Sequence, residues 1–409
     1  MSAIGVYAQV YHMLDAHLDT TVPRSSRTRL ALVVTGLLRA QSASPARVAP
    51  ALYTLGLSAA PAESLERRMR RFENDPHLDA TLCVPPFARH HLALGKPAPL
   101  LLVLDPTSQA ERLVMLTAAV WYRGRALPVA WALWPANQPR ADARFWQRVA
   151  PLLEPSAALL PAHVPVTRLA DRAFGTPAWI ALLTARGWHY VVRVQGQTRY
   201  QDATGRCMRL EALVPSRGRR AKGAGQVFKK RGWRAASVVV HWGPRHDTPL
   251  ALVSDLPPQW ALLALYRKRY PIEATLRDYK SHGWHWEQGQ GTALAPVEHL
   301  LVAMALATWL TIYAGVAQAT VALAQPPTGR RRTRPWLAKP SLFTLGLQWW
   351  QQRLAPNLPL RLPAALPDWQ APTWSVQITG YHAKAYIFAR QIEPYATQQL
   401  RPTLKTVRP

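Results

Sequence analysis

The chain has 409 residues, 49% of them hydrophobic, and it carries 50 Lys and Arg against 22 Asp and Glu, a formal net charge of +28. A hydrophobic fraction of this size excludes a globally disordered chain, and the length suits roughly two or three domains. The charge indicates a polyanionic partner such as nucleic acid, because neutralising phosphates releases bound counterions; a ribosome-like scaffold or a generally basic proteome is the alternative.

Two cysteines, Cys83 and Cys207, lie far apart in the chain. This number excludes a disulfide framework and a zinc site built on thiolates, and it fits a reducing cytosol. The first residues contain no basic leader followed by an apolar run, so we expect no secretory signal.

We predict that residues 1–90 form a helical DNA-binding region. Residues 29–40 are amphipathic, a short helix over 45–53 begins with a proline, and a second helix follows Pro61. The second helix is rich in arginine, and helix, short turn and basic helix together are compatible with a helix-turn-helix. The predicted DNA contacts in it are Arg67, Arg68 and Arg71, although any basic surface helix has this composition.

The apolar runs that follow predict the first part of an α/β core over residues 91–194. In chain order they indicate three strands, a helix, a strand, a helix and a strand, at 100–105, 113–122, 126–134, 141–153, 164–170, 176–186 and 189–194. Gly124, flanked by two arginines, predicts a hairpin turn. The order predicts a mixed sheet flanked by helices. Asp105 and Asp171 close two of the strands, and sites collect at the carboxyl edge of such sheets.

Residues 195–255 interrupt this pattern and are predicted to be a β-rich, basic insertion with a mobile loop. Eight Lys or Arg fall within 215–234, with Phe228 and Trp233 between them, and short strands follow at 235–242 and 249–254. A basic loop is often only solvated, but aromatic side chains beside it favour stacking on nucleic acid. The candidate contacts are Arg219, Arg220, Lys229, Lys230 and Arg231.

Residues 256–325 are predicted to form the second part of the core. Tyr266, Arg269, Glu273 and Lys280 follow one another at intervals that place them on one face of a helix. Pro271 interrupts this stretch, so the helix either restarts or kinks there. The shared face is therefore firmest for Glu273 and Lys280.

Residues 300–325 carry no charge and precede a basic tract at 330–334. Their length and flanks meet the simple rule for a membrane-spanning helix, but the stretch is rich in Ala and Thr and no second span exists. The buried central helix of a large soluble fold has the same pattern, and we expect this alternative, with no membrane partner. Residues 326–409 are a basic, Pro-rich C-terminal region, and we expect helical regions at both ends of the chain.

Asp105, Asp171 and Glu273 are the candidate catalytic and metal-binding residues. Carboxylate oxygens are the ligands that Mg²⁺ prefers, and two divalent ions can activate the attacking oxygen and stabilise the leaving one in phosphoryl transfer. Each acid also has an ordinary explanation: a turn before Pro106, a cap before Arg172, or a solvated helix face. Their position in one mixed sheet beside basic tracts favours a site.

The pattern Tyr-x2-Arg-x3-Glu-x6-Lys at 266–280, after Asp105 on the first strand and the Ala-Asp-Arg-Ala-Phe-Gly segment at 170–175, resembles the DDE transposases of bacterial insertion sequences. It is most similar to their subgroup with a β-strand insertion between the second Asp and the Glu. The resemblance spans about residues 30–350. Tyr270 stands where many relatives have Trp.

This resemblance implies a ribonuclease H-like fold and cut-and-paste movement of DNA. It also implies Mg²⁺ or Mn²⁺ as the cofactor, with two ions bound. Asp105, Asp171 and Glu273 correspond to the catalytic triad of the family.

The same resemblance assigns DNA contacts at the end of the mobile element to Tyr266, Arg269 and Lys280. Members with the insertion cleave through a hairpin at the element's end, and a tryptophan of the insertion holds a flipped base. Trp233 and Trp242 are both candidates for that tryptophan.

The implied partners are double-stranded DNA with terminal inverted repeats and target DNA. We expect the protein to act as a homodimer on DNA. The implied location is the bacterial cytoplasm near the nucleoid. Two alternatives stay open: a domesticated or inactive relative that only binds DNA, and a simple metal-dependent nuclease. The intact acids argue against the first. The large insertion and the basic ends argue against the second, because cleavage alone requires no grip on several DNA segments.

Overall fold

The computed structural model describes residues 3–57, 61–95, 99–136, 142–159, 164–324 and 341–354, and the single positions 360, 362 and 366. The predicted basic tract at 330–334, and most of the predicted C-terminal region, lie outside these residues.

Five helices form the N-terminal part: α1 (Ala3–Asp15), α2 (Arg24–Ala40), α3 (Pro45–Thr54), α4 (Ala62–Glu73) and α5 (Ala80–Gly95). The three helices predicted here are α2, α3 and α4, and α2 begins earlier than predicted, directly after Pro23.

Helix α4 has one apolar and one basic face. Leu65, Met69 and Phe72 recur at helical spacing and are buried against the neighbouring helices. The arginines between them are exposed, as the sequence predicted: Arg67, Arg68, Arg70 and Arg71.

Five strands form the core sheet: β1 (Leu100–Gln109), β2 (Leu113–Tyr122), β3 (Arg125–Pro135), β4 (Val166–Ala170) and β5 (His189–Val194). Their order is β3-β2-β1-β4-β5. Antiparallel hairpins join the first three strands, whereas β4 pairs in parallel with β1 and with β5. This is the ribonuclease H-like arrangement, and it confirms the predicted fold class.

Three helices connect the strands between β3 and β5: α6 (Asp142–Val149), α7 (Leu153–Ala158) and α8 (Pro177–Thr184). The single helix predicted at 141–153 is wrong, since a short 3₁₀ turn, Ala150–Leu152, separates α6 from α7. Pro151 lies in this turn, where its missing N–H interrupts the α-helical hydrogen bonds.

Strand β1 does not end at Asp105, as predicted, but continues through Pro106 to Gln109. Its pairing with β2 extends to the strand end, whereas its pairing with β4 stops at Leu104 and Ala170. Pro106 has no N–H to donate, which a strand tolerates where one of its edges is unpaired. Asp105 is therefore the first residue of β1 beyond the end of β4.

The predicted hairpin between β2 and β3 is confirmed. Tyr122 pairs with Arg125, and the turn residues Arg123 and Gly124 have φ angles of 45° and 78°. Two positive φ angles identify a type I′ turn, whose twist matches that of the flanking strands.

The predicted β-rich insertion contributes β6 (Arg199–Asp202), β7 (Cys207–Arg209), β8 (Arg220–Val227), β9 (Arg234–His241) and β10 (Leu250–Ser254). These strands extend the core into one sheet of ten, in the order β3-β2-β1-β4-β5-β10-β9-β8-β6-β7. Antiparallel pairing of β10 with β5 joins the two halves.

The basic segment at 215–234 is not one loop, as predicted, because β8 occupies its middle and pairs with β9 along its whole length. Two glycines make this strand compatible with its neighbours. A Cβ at Gly225 would lie 2.1 Å from the carbonyl oxygen of Gln201, and one at Gly223 would lie 2.8 Å from the hydroxyl of Tyr200.

Four helices complete the described chain: α9 (Ala261–Arg267), α10 (Pro271–Arg277), α11 (Leu294–Ala324) and α12 (Leu342–Leu354). Pro271 lies in the first turn of α10, so the helix restarts there, which is one of the two predicted alternatives. A π-helical turn, Asp278–His282, follows α10. Lys280 is thus on a wider turn than the ideal helix from which its position was predicted.

Helix α11 is, among the described residues, the one helix that is long and apolar enough to cross a membrane. It packs against α2, α12 and β3, and 89% of its most apolar stretch is buried within the protein. A Cβ at Gly346 of α12 would lie 1.8 Å from the carbonyl oxygen of Thr311, so glycine permits this close approach. The burial is that of a central core helix.

Candidate active site

Asp105 and Asp171 meet where β1 and β4 separate. The two strands pair in parallel up to Leu104 and Ala170, and each aspartate is the next residue of its chain segment. Parallel strands carry residues of equal register to one edge of the sheet. The topology therefore brings the two predicted carboxylates together.

Glu273 reaches the same edge from α10. Pro271 sets the first helical turn, and Ile272 and Leu276 are buried beneath the helix. The Thr275 hydroxyl donates to the carbonyl oxygen of Ala126 at 3.0 Å, which fixes α10 on β3. The Glu273 side chain is half exposed.

Arg269 lies between two of the three acids. Its Nη1 is 3.1 Å from Oδ1 of Asp105, and its Nη2 donates to Oε1 of Glu273 at 2.5 Å. Arg269 is 5% exposed and the Asp105 side chain is 14% exposed, so their ion pair is largely shielded from water, whereas the Glu273 carboxylate is half exposed. The single positive charge of the guanidinium is thus shared between the two carboxylates.

Burial is the main reason why the pKa of Asp105 rises from 3.8 to about 6, and the nearby Glu273 and Asp171 carboxylates raise it further. Arg269 opposes this rise because its positive charge favours the ionised carboxylate. The three carboxylates therefore act on one another electrostatically, as acids that share one site do.

We expect Asp105→Asn to stabilise the protein in metal-free solution above about pH 6. The folded protein keeps a proton on Asp105 up to about pH 6, whereas the unfolded chain loses it near 3.8, so stability falls as the pH rises between these values. The variant should gain on the order of 2 kcal/mol at about pH 8 and little at about pH 4. Urea unfolding with EDTA at both pH values measures this, and an equal effect at both would contradict it.

A cleft of about 400 Å³ opens beside the acids. Asp105, Glu273 and Lys280 all line it, so Glu273 and Lys280 face one space even though a π-helical turn separates them. Nζ of Lys280 lies 2.9 Å from Oε1 of Glu287, which lines the same cleft.

Tyr266 and Arg269, the other two residues of the 266–280 pattern, are buried beside the acids. Tyr266 is 1% exposed, and burial raises the pKa of its hydroxyl. Its ring packs edge-on against Tyr270, which is about half exposed. In this arrangement Tyr270 and Lys280 present more surface to a ligand than Tyr266 and Arg269 do.

The donor set at this edge fits a hard divalent ion. Oδ1 of Asp171 is buried and has no hydrogen-bond partner among the described residues, and an unpartnered carboxylate oxygen is suited to receive a cation. Asp105 and Glu273 supply further oxygens but are paired with Arg269. Within the described part of the chain, no three acidic, His or Cys side chains are already arranged as a metal site. Binding an ion would thus require Arg269 to share or release these carboxylates.

The two candidate tryptophans of the insertion have different surroundings. Trp233 is 36% exposed and follows the turn Lys229–Arg231 at the start of β9. Trp242 is partly buried against the core, and its Nε1 donates to the carbonyl oxygen of His246 at 2.8 Å. Trp233 is therefore the more accessible of the two rings for stacking.

The basic side chains predicted to contact DNA in the insertion are exposed: Arg219, Arg220, Lys229, Lys230 and Arg231. Arg220 stacks over the ring of Trp260 at 4.5 Å, and Lys222 lies over the same ring. Phe228, predicted to be a neighbouring stacking aromatic, is instead buried with the core, so only Trp233 of that pair is available.

Sequence reasoning missed Glu287 and Arg277, which also line the cleft. Arg277 follows Glu273 by one helical turn, and this spacing was a usable signal. No pattern pointed to Glu287, because the irregular segment between Asp278–His282 and α11 sets its position.

The family model described as a transposase DDE domain matches residues 140–310. This segment is therefore similar to a transposase DDE domain. It contains Asp171 and Glu273 and begins after Asp105, so two of the three predicted acids lie within it.

A comparison with solved structures finds a cryo-EM structure of a piggyBac transposase synaptic complex with hairpin DNA, at a TM-score of 0.39 and 10% identity, over 93% of this chain and 91% of that chain. No curated protein matches the chain.

Proposed function

We propose that the protein is a DNA transposase that cleaves phosphodiester bonds at the ends of an insertion sequence and joins the freed 3′ ends to target DNA. The observation that carries this proposal is the convergence of Asp105, Asp171 and Glu273 at one edge of a ribonuclease H-like sheet. The match of residues 140–310 to the transposase DDE domain supports it.

The three acids would hold Mg²⁺ or Mn²⁺, and two ions suit the reaction. When bound, such ions activate an attacking water or 3′-hydroxyl and stabilise the leaving oxygen. Asp171 offers its unpartnered Oδ1, and Asp105 must be ionised to take part. Arg269 pairs with both Asp105 and Glu273 in the free protein and so holds the two side chains close together.

The remaining predicted residues would hold DNA around this centre. Lys280 lines the cleft and suits a phosphate near the acids. Tyr266 and Arg269 are buried beside the acids, and we propose that they support the site from there. Arg269 is proposed to contact DNA after its ion pairs with Asp105 and Glu273 break. The exposed arginines of α4 and the basic residues of the insertion suit phosphates further away. The proposed assembly is a homodimer that pairs two terminal inverted repeats before it engages target DNA.

Trp233→Ala should lower cleavage at the element's end by roughly ten- to a hundredfold with little change in stability. The exposed Trp233 ring is proposed to hold a flipped base, and one base–aromatic stack contributes about 1–3 kcal/mol. A 2-aminopurine fluorescence assay on end DNA reports the flipped base beside the cleavage rate.

Trp242→Ala is the matched control for that substitution. It should lower the unfolding midpoint because it removes a partly buried ring, while a folded sample retains base flipping. Normal activity of the Trp233 variant together with loss in folded Trp242→Ala would reverse the assignment.

The function is tested with purified protein, Mg²⁺ or Mn²⁺, and a duplex that carries the terminal repeats flanking the gene. Cleaved ends joined to a plasmid are the expected product. Cleavage without joining would identify a nuclease, and binding without either reaction would identify an inactive DNA-binding relative.

A further inference from the structure

We propose that Glu287 is a positioning residue that holds Lys280 while the cleft is empty of DNA and releases it to a DNA phosphate. The inference rests on the proposed function, because the phosphate would come from the DNA end bound beside the acids. It adds a fourth acid to the site, one whose partner is a lysine.

The pair lies inside the cleft. Nζ of Lys280 is 2.9 Å from Oε1 of Glu287, and both side chains line the space that Asp105 and Glu273 also face. Of the two basic residues in the 266–280 pattern, Arg269 and Lys280, Lys280 is the more accessible from this space. In the free protein, that cation is already neutralised.

The backbone that carries the carboxylate is held in place. Glu287 lies on a short 3₁₀ turn, Trp286–Gln288, whose Trp286 ring is buried. Nε2 of Gln109, at the end of β1, donates to the carbonyl oxygen of Trp286 at 2.9 Å, and Nη2 of Arg112 donates to that of Gly289 at 2.5 Å. The turn is therefore tied to the strand that carries Asp105.

The ammonium is the movable partner. The backbone of the π-helical turn is held by the buried Tyr279 and by an ion pair between Asp278 and Arg125. The long side chain of Lys280 can change direction without any shift of this backbone, because it has several rotatable bonds. Exchange from a carboxylate to a phosphate then requires only a rotamer change.

An acid at this position opposes binding of a polyanion. It competes for Lys280 before DNA binds, and it repels phosphate afterwards. The pair is partly exposed, so its strength is modest and falls with salt. The structure therefore combines a weak restraint with a defined starting position for the lysine.

Glu287→Gln tests the inference in a binding assay with the terminal-repeat duplex. At about 50 mM salt the variant should bind this DNA about three- to tenfold more tightly than the wild type, and the difference should narrow at about 200 mM. The gain should be absent when Lys280→Met is the background. Glu287→Asp, which keeps the charge but shortens the side chain, should show part of the gain.

Glu211→Gln is the matched control. Glu211 is likewise paired with a basic side chain, Arg209, and its side chain is 37% exposed against 38% for Glu287, but it lies in the insertion. Glu211→Gln measures how much the loss of one negative charge alone changes DNA affinity, and we expect a change below about twofold.

Three results would overturn the inference. Equal tightening by Glu287→Gln with and without Lys280 would show general repulsion, no change would show that the pair has no effect, and weaker binding would show that Glu287 presents the lysine productively. Acetylation of Lys280 in DNA-free protein, followed by mass spectrometry, should be faster in Glu287→Gln, and this measurement needs no DNA. If the wild type shows no preference for the terminal repeats, the proposed function fails, whereas the acetylation result still tests the pair.

Discussion

Asp105→Asn, Asp171→Asn and Glu273→Gln should each lower DNA cleavage and joining by at least about a thousandfold while DNA binding persists. Each removes a charged oxygen ligand from the proposed metal site, where the ions contribute several kcal/mol to stabilising the transition state, and each 1.36 kcal/mol is a factor of ten in rate. The substitutions keep the size of the side chains, so the fold should be retained.

Strand transfer with a labelled terminal-repeat duplex measures the loss, and an electrophoretic shift on the same duplex measures binding. Glu154→Gln is a suitable control, because Glu154 is an exposed acid paired with Arg186. Near-normal joining by any one of the three variants would remove that acid from the proposed triad.

Asp278→Ala should destabilise the protein by roughly 3–5 kcal/mol, because it leaves Arg125 buried without its acidic partner. Asp278 directly follows the helix that carries Glu273, and Arg125 begins β3. The substitution should therefore also lower activity, through the position of Glu273.

Urea unfolding measures this effect. Asp247→Ala is the control, since its side chain is 98% exposed and pairs with the exposed Arg217, and it should change stability by less than about 0.5 kcal/mol. A loss of under about 1 kcal/mol in Asp278→Ala would mean that the buried pair contributes little to stability beside the Thr275 hydrogen bond to Ala126.

The core strands were predictable because they are continuous apolar runs, and β2 and β5 have the predicted bounds. The meeting of Asp105 and Asp171 followed from the same runs once β1 and β4 were assumed to be parallel neighbours. These features depend on local composition and on a few general rules of topology.

The contacts of Arg269 and Glu287 could not be predicted in this way. Arg269 and Asp105 are far apart in the sequence and meet only in the fold, and the position of Glu287 depends on an irregular turn anchored by Gln109. The extension of β1 through Pro106 and the strand at β8 were missed for a related reason. Proline and basic residues disfavour a strand locally, whereas pairing with β2 and β9 decides the outcome.

The continuous sheet holds the insertion at a fixed position relative to the core. Hydrogen-bonded strands lie about 4.8 Å apart, so β9, two strands beyond β5, is held at roughly 10 Å from the core edge. Trp233 directly precedes β9 and follows the turn Lys229–Arg231. Strand β9 runs parallel to β4, so Trp233, which precedes β9, lies at the opposite edge of the sheet from Asp171, which follows β4. Under the proposed function, strand order and register together therefore determine how much DNA must lie between the acids and this ring.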